Sequence, residues 1–315
     1  MEVYTKDMPT KRYLHSKCQL ALAAGLLVLG AALPAHAQLG LGLVPMRSEL
    51  TIAPGQEVSG ALKLSSESGA VTRIRAEIDD FDIDDTSTPQ FERDLPKEAA
   101  YSCKKWLSLN PMEIQLDQGG SLLVRYTFRL PPTVPEGGYN CAAGFTTLPP
   151  ADEAAQQGMG MHTAVRIVTA FYIKVGAPAV NGALKAISLE SAAATPATPA
   201  LGAPAQAAPS NDPKSGWQAV VVLDNPGRMY FRPTGKLEVL DASGQAVETE
   251  DFPSLPILPE RSQRVIFPLK TQLVPGSYKL RVNVDIGTGE IQEGSAEVTV
   301  EAPPPLSAAA KPAPK

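Results

Sequence analysis

The residues with the best spacing for chemistry form an acidic run in which Asp80, Asp82 and Asp84 alternate. This spacing matches the opening of a calcium-binding EF-hand loop, whose carboxylate ligands lie at alternate positions. The match then fails, because the sixth position is Asp85 where that loop needs glycine and the twelfth is Phe91 where it needs glutamate. We therefore predict no metal site and interpret the run as a solvated acidic edge that discourages strand pairing.

The N-terminal segment decides which other reactive residues belong to the working protein. Basic residues, among them Arg12 and Lys17, precede an apolar run from Leu20 to Leu33, and Ala35-His36-Ala37 follows it. This order is typical of a secretory signal peptide, and we predict residues 1–37 as that peptide. A membrane anchor is the alternative, but the run is short for a bilayer span, so we expect no membrane span in the mature chain. Cleavage removes four of 28 basic and two of 33 acidic residues, and the net charge of −7 that remains argues against nucleic acid as a partner.

Few residues remain for catalysis. A nucleophilic serine or cysteine needs a base beside it, and the mature chain keeps His162 as its one histidine. Its two cysteines, Cys103 and Cys141, would lie in an oxidising compartment, so we predict a disulfide, with two buried free thiols as the alternative. Zinc would need more ligands than the chain supplies, and paired carboxylates for glycoside cleavage stay open because their separation cannot be read from a sequence. We predict a binding protein that is not an enzyme, with no catalytic residue, no metal and no cofactor.

One long strand is predicted to organise the first half of the chain. In the segment from Met159 to Val175, MGMHTAVRIVTAFYIKV, the odd positions from Val165 onward are mostly apolar, whereas Arg166 and Lys174 are at even positions. A helix of this length would scatter those charges through a core, so alternation favours a half-buried strand. The strand is expected to end one β-domain and to lead into the next.

Composition and turn spacing predict an all-β fold of two tandem immunoglobulin-like β-sandwich domains. The 315 residues include 30 prolines and 25 glycines, and strand-like segments alternate with turns after residue 40. We predict an N-terminal domain at residues 38–176 and a C-terminal domain at 177–302. Within the second domain, residues 191–216 are rich in alanine and proline and are predicted to be a disordered insertion between its first two strands. Residues 303–315 are predicted to be a disordered tail.

Two local patterns add detail. Tyr139 lies two residues before Cys141, as in the tyrosine corner of immunoglobulin-like sandwiches, and Pro275-Gly276-Ser277-Tyr278 repeats its approach in the second domain. Each hydroxyl is expected to bind nearby backbone. The apolar residues before Asp79 and those after Asp80 have opposite parity, which predicts a β-bulge at this point.

Several segments resemble the periplasmic pilus-assembly chaperones of the PapD type. They are Arg47-Ser48-Glu49-Leu50 followed by Pro54-Gly55, the segment from Trp106 to Pro111, Asp224-Asn225-Pro226 followed by Met229-Tyr230-Phe231, and Ile257-Leu258-Pro259. The resemblance covers most of the mature chain. It implies two immunoglobulin-like domains, a periplasmic location and no enzymatic activity. It also implies pilin-like subunits as partners and an outer-membrane usher as a further candidate partner.

The resemblance also implies a subunit-binding site. In the family an arginine in the cleft between domains holds the carboxylate terminus of a pilin subunit, and Arg47 matches that residue. The strand of residues 159–175 matches the strand that the family lends to an incomplete subunit, which gives Val165 and Ile167 places in the binding ladder. The family's second anchoring cation falls where this chain has Thr169, and Arg166 is the substitute cation.

A second hypothesis stays open at this point. Gly160, His162 and Ala164 occupy positions where the family has bulky donor residues. The alternative is a non-catalytic structural or adhesive envelope protein built of tandem immunoglobulin-like domains. An unpaired edge strand beside a cationic cleft would favour the chaperone, whereas a fully paired strand and a polar cleft would favour the structural protein.

Overall fold

The computed structural model describes residues 40–92, 101–149, 164–191 and 216–301. Within these ranges the chain forms seventeen strands and one short 3-10 helix, Lys104–Trp106, and it has no α-helix. The strands build two β-sandwiches in tandem, each with two sheets, which confirms the predicted all-β fold. Within the same ranges no helix is long and apolar enough to cross a membrane. The predicted signal peptide, nearly all of the insertion and the whole of the tail lie outside the described residues.

The first sandwich contains ten strands. They are β1 (Leu41–Val44), β2 (Arg47–Thr51), β3 (Glu57–Ser66), β4 (Thr72–Ile83), β5 (Pro89–Glu92), β6 (Leu107–Asn110), β7 (Glu113–Leu116), β8 (Ser121–Arg129), β9 (Gly137–Leu148) and β10 (Arg166–Val175). One sheet has the order β1-β3-β8-β6 and the other β2-β10-β9-β4-β5, with β7 also paired to β4. Between the sheets the rings of Phe128 and Phe171 lie 5.2 Å apart edge to face, and Tyr126 contacts both. Aromatic rings of this size supply much of the apolar area that a sandwich core buries.

The chain changes sheets between β1 and β2. Val44 pairs with Lys63 of β3 in one sheet, whereas Arg47 pairs with Ala170 of β10 in the other. Pro45 lies between the two strands and has no N–H to give to either ladder. As a result β2 runs parallel to β10 and begins only opposite the middle of that strand.

The predicted disulfide between Cys103 and Cys141 is present, with a Cα–Cα distance of 5.2 Å. It joins the start of the 3-10 helix to β9. On β9 the Tyr139 hydroxyl donates to the Pro135 carbonyl at 2.9 Å, and the Tyr278 hydroxyl of the second sandwich donates to the Val274 carbonyl at the same distance. Both tyrosine corners are therefore confirmed.

The buried apolar residues of β4 lie on one face in its first part and on the opposite face near its end. It pairs first with β9 and then with β5 without a register shift, so the predicted bulge near Asp79 and Asp80 is wrong. Ala76 packs into the core of the first sandwich, whereas Phe81 lies on the opposite face and packs beside Tyr230 of the second sandwich. The apolar parity changes because the second sandwich covers the far end of this sheet.

The second sandwich contains seven strands. They are β11 (Ala183–Ser191), β12 (Trp217–Asn225), β13 (Thr234–Leu240), β14 (Ala246–Asp251), β15 (Arg261–Pro268), β16 (Gly276–Asp285) and β17 (Ile291–Val300). Its sheets have the orders β11-β12-β15 and β14-β13-β16-β17. Ser191, the first residue of the predicted insertion, pairs with Trp217, the residue that follows its last one.

The end of β4 and the turn that follows it contact the second sandwich. The Arg261 guanidinium on β15 binds both carboxylate oxygens of Asp82, with 3.0 Å between Nη2 and Oδ2. The Ser87 hydroxyl donates to the Arg264 carbonyl at 2.7 Å. A forked guanidinium contact of this kind fixes orientation as well as distance, so side chains from the two sandwiches can form one site.

Candidate functional site

One side of β10 is open over the first four residues of the strand. The Ala170 N–H donates to the Met46 carbonyl at 3.0 Å, so even-numbered residues of β10 direct their backbone groups away from β9. β2 pairs with β10 only from Ala170 onward, and no other strand in the described ranges pairs with this side of Arg166–Thr169. The outward backbone groups of Arg166 and Val168 therefore face an edge that can accept another strand.

Only part of the predicted strand is described. β10 is observed from Arg166 to Val175, whereas residues 159–163, including His162, lie outside the described residues. Val165 immediately precedes the strand, and its N–H donates to the Thr147 hydroxyl at 2.9 Å. The roles of Val165 and Ile167 in a binding ladder stay predictions.

Three of the predicted binding residues, Val165, Ile167 and Thr169, lie at odd positions. The odd-numbered side chains of this segment point toward the core of the first sandwich. Ile167 packs against that core and Val165 is half-buried. Thr169 is fully buried, and its hydroxyl donates to the Pro45 carbonyl at 2.9 Å. Thr169 therefore fixes the crossing from β1 to β2 beside the open edge.

Arg47 lies where the open edge ends. It shares one face of β2 with Glu49, because alternate residues of a strand point the same way. Glu49 Oε1 lies 3.5 Å from Arg47 Nε and 3.5 Å from Arg232 Nε of the second sandwich. The Arg47 side chain is 52% exposed and that of Glu49 is 47% exposed. Two guanidiniums thus share one carboxylate, which leaves the group with a net positive charge.

Arg232 is the site residue that sequence reasoning alone misses. Its neighbour Phe231 points into the second core, so Tyr230 and Arg232 on either side point toward the first sandwich. The buried Asn225 side chain holds this segment by donating to the Met229 carbonyl at 2.9 Å. The one available signal is the alternation of Tyr230, Phe231 and Arg232 directly before a proline.

Aromatic rings form the wall beside this charged group. The Arg232 guanidinium lies 4.7 Å from the centre of the Tyr172 ring, a distance that allows a cation–π contact. Tyr172 and Tyr230 have ring centres 4.9 Å apart. Burial raises the pKa of Tyr230 to about 12, with the Glu49 charge adding to the rise and Arg232 opposing it. The low polarity that causes this shift also strengthens any ion pair formed there.

The Arg166 side chain binds other residues of the same sheet. Its Nη2 lies 2.5 Å from Asp79 Oδ2, and its Nη1 donates to the Phe91 carbonyl at 3.0 Å. Asp79 is 1% exposed, and burial raises the pKa of its carboxyl while Arg166 partly offsets that rise. Since Arg166 precedes Ala170 by about four residues, or about 13 Å of strand, the structure does not bring it to Arg47.

The acidic run is not a solvated edge, and that interpretation is wrong. Asp79 and Asp80 are buried, and β4 remains paired from Asp79 to its end at Ile83. Asp80 accepts from the Ser102 hydroxyl at 2.5 Å, and Asp84 accepts from the Thr86 hydroxyl at 2.6 Å. Each of these aspartates therefore has a structural partner of its own.

The described residues hold no group of three histidine, cysteine, aspartate or glutamate side chains arranged to bind a metal ion. What they do hold is an open strand edge that ends at a cationic group. This combination can bind an extended chain through its backbone and an anion through its end.

The sequence matches no protein-family model and no curated protein. Among solved structures, it is similar to the class 5 fimbriae chaperone CfaA at 13% identity, covering 84% of this chain and 100% of that chain, with a TM-score of 0.40. It is similar to the E. coli chaperone DraB at 13% identity, covering 84% of this chain and 98% of that chain, with a TM-score of 0.38. A structure of the Salmonella enterica SafA pilin in complex with the SafB chaperone matches at 11% identity, with 84% and 99% coverage and a TM-score of 0.37. Each of these three matches extends over most of this chain and nearly all of the other.

Proposed function

We propose that this chain is a periplasmic chaperone that binds an extended segment of a secreted pilin-like subunit by strand addition and assists pilus assembly. The observation that carries the proposal is the open side of β10 at Arg166–Thr169, which ends at the cationic group of Arg47 and Arg232. The subunit class is the one that the sequence resemblance implies, and a SafA pilin accompanies the SafB chaperone in one similar structure. An outer-membrane usher is a further partner in this proposal.

The proposal also gives the bound strand a direction. β2 occupies the position beside β10 from Ala170 onward, so an added strand that runs parallel to β10 must stop there. Its terminal carboxylate would then lie beside Arg47, the first residue of β2. Charge-assisted hydrogen bonds between a guanidinium and a carboxylate are among the stronger ones in proteins, so the strand end would fix the register of the client.

The same geometry bears on the alternative of a structural or adhesive envelope protein. That hypothesis expects a fully paired β10 and a polar cleft. In the described ranges β10 is paired on one side only at its start, and the adjacent group has two cations for one carboxylate. Both observations support the chaperone.

Amide hydrogen exchange tests the proposal directly. The probe is a short peptide of alternating valine and serine with an acetylated N-terminus and a free C-terminal carboxylate, called the probe peptide below. Its binding should protect the N–H groups of Arg166 and Val168, which face the open side, and should leave those of Ile167 and Thr169 unchanged because β9 already protects them. A bound peptide that protects neither Arg166 nor Val168 would contradict strand addition at this edge.

A further inference from the structure

Glu49 occupies an unusual position between two cations. A single oxygen of its carboxylate, Oε1, lies 3.5 Å from Nε of both Arg47 and Arg232. Charge-assisted bonds between nitrogen and oxygen are normally about 2.7 to 2.9 Å long, so Glu49 satisfies neither guanidinium well. By contrast, the Arg129–Glu57 pair on the same sandwich has a distance of 2.7 Å. Glu49 is thus a weakly held carboxylate.

Arg232 has a donor that the protein leaves without an acceptor. Its side chain is only 18% exposed, its Nη1 donates to the Ser254 carbonyl at 3.0 Å, and its guanidinium lies against Tyr172. Its Nη2 is buried and has no hydrogen-bond partner among the described residues. Buried donors of this kind are rare in folded proteins because leaving one unpaired is costly, and a ligand that supplies an acceptor would remove that cost. The ligand chemistry that fits is an anion with two oxygens.

The position of the group limits where that anion can come from. Arg47 is the first residue of β2, and β2 begins where the open side of β10 ends. A strand that fills the open side in the direction of β10 therefore delivers its C-terminal carboxylate to this group. Arg166, which lies at the start of the same open side, is already engaged because it binds Asp79 at 2.5 Å.

We propose that Glu49 is a placeholder for the terminal carboxylate of the bound strand, and that Arg232, with Arg47, forms the clamp that receives it. In the empty protein the Glu49 carboxylate lies between the two guanidiniums and offsets one of their two positive charges. A client carboxylate displaces Glu49, bridges Arg47 and Arg232, and gives the Nη2 of Arg232 the acceptor that it lacks. Because Glu49 competes for the same donors, it lowers the affinity for the client and speeds release. This inference depends on the strand addition proposed above.

The test measures binding of the probe peptide and of its C-terminal amide to the full mature chain by isothermal titration calorimetry. The wild type should bind the acid at least about tenfold more tightly than the amide. Glu49→Gln should tighten binding of the acid about fivefold and leave binding of the amide unchanged. Arg232→Gln should reduce the affinity for the acid to that for the amide.

Two further variants separate competition from a general effect of charge. Glu57→Gln removes an equal charge from a remote ion pair and should change neither affinity. Glu49→Asp keeps the charge but withdraws it from the guanidiniums, so it should tighten binding of the acid by a smaller factor than Glu49→Gln. Circular dichroism and the melting temperature of each variant check that it is folded.

The outcomes distinguish this inference from the proposed function. If the amide binds and protects Val168 but Glu49→Gln leaves binding of the acid unchanged, or tightens acid and amide equally, the placeholder is refuted and strand addition stands. An unchanged affinity of Arg232→Gln for the acid likewise refutes the clamp. If wild type and Glu49→Gln bind neither peptide, strand addition fails and the placeholder fails with it.

Discussion

Replacement of Val168 by proline tests whether the open side of β10 is the binding edge. The Val168 N–H points away from β9, so proline removes no bond from the β9 ladder, and edge positions of this kind accept proline. Arg166 and Val168 each offer one N–H and one C=O on this side, and each ladder bond contributes about 0.5 to 1.5 kcal/mol net. An added strand would therefore gain about 2 to 6 kcal/mol from the edge. Proline removes the Val168 N–H, and its ring obstructs the adjacent ladder bond. We therefore expect Val168→Pro to lose about 1 to 3 kcal/mol of binding free energy, which raises the dissociation constant about 5- to 150-fold.

Isothermal titration calorimetry with the probe peptide measures this change, and two variants control it. Val168→Ala shortens the same side chain but keeps the N–H, so its affinity should stay close to that of the wild type. Ile167→Pro moves the substitution by one residue to an N–H that points toward β9, so it should lower the melting temperature far more than Val168→Pro does. The reasoning is refuted if folded Val168→Pro binds the peptide as the wild type does, or if both prolines destabilise the protein equally.

Three further predictions concern stability. Replacing Cys103 and Cys141 together by alanine should lower the free energy of unfolding by about 2 to 4 kcal/mol, because the bridge closes a loop of 38 residues. Urea unfolding of the oxidised wild type and of the variant measures this change. A loss below about 0.5 kcal/mol would contradict the loop-entropy argument. Replacing residues 192–216 by a two-residue Asn-Gly turn should leave the melting temperature unchanged or raise it, because Ser191 and Trp217 already pair and the shorter loop costs about 2 kcal/mol less to close. A lower melting temperature would mean that the segment packs against the fold. Glu190→Gln should lower the free energy of unfolding by up to about 1 kcal/mol at neutral pH and by less at low pH, because two bonds from Arg264 hold the pKa of Glu190 below its usual value. A carboxylate with a lowered pKa stabilises the fold above its unfolded pKa and loses that effect as pH falls through the folded pKa, so a difference that persists in acid would contradict the assignment.

Local patterns in the sequence predict those parts of the fold that local physics decides. The spacing of Tyr139 and Cys141 predicts a corner and a bridge, and both are present. The alternation along residues 165–175 predicts β10, and its odd positions from Phe171 to Val175 are buried. In each case a neighbour in the chain or the period of a strand determines where the side chain points.

The missed features depend on residues far apart in the chain. The parity change in β4 is visible in the sequence, but its cause is the second sandwich, which covers the far end of the sheet. Arg232 contacts Glu49 across 183 positions, and Arg166 contacts Asp79 across 87. A sequence shows that these residues are charged, but the fold decides which charge each one meets. For this reason Arg166 is predicted as a free cation and Arg232 is not predicted at all.

The acidic run on β4 explains why the cationic group lies where it does. Asp79 engages Arg166, and Asp82 engages Arg261 of the second sandwich. The first contact neutralises the cation at the start of the open edge, so a client carboxylate meets less attraction there than at Arg47. The contact between Asp82 and Arg261 helps to hold the two sandwiches together. Because Arg47 and Arg232 belong to different sandwiches, this contact also helps to set the distance between their guanidiniums. Asp82, which resembles a calcium-loop ligand in the sequence, and the nearby Asp79 thus act on the binding site indirectly. Asp79 removes one competing cation, and Asp82 helps to position the pair that remains.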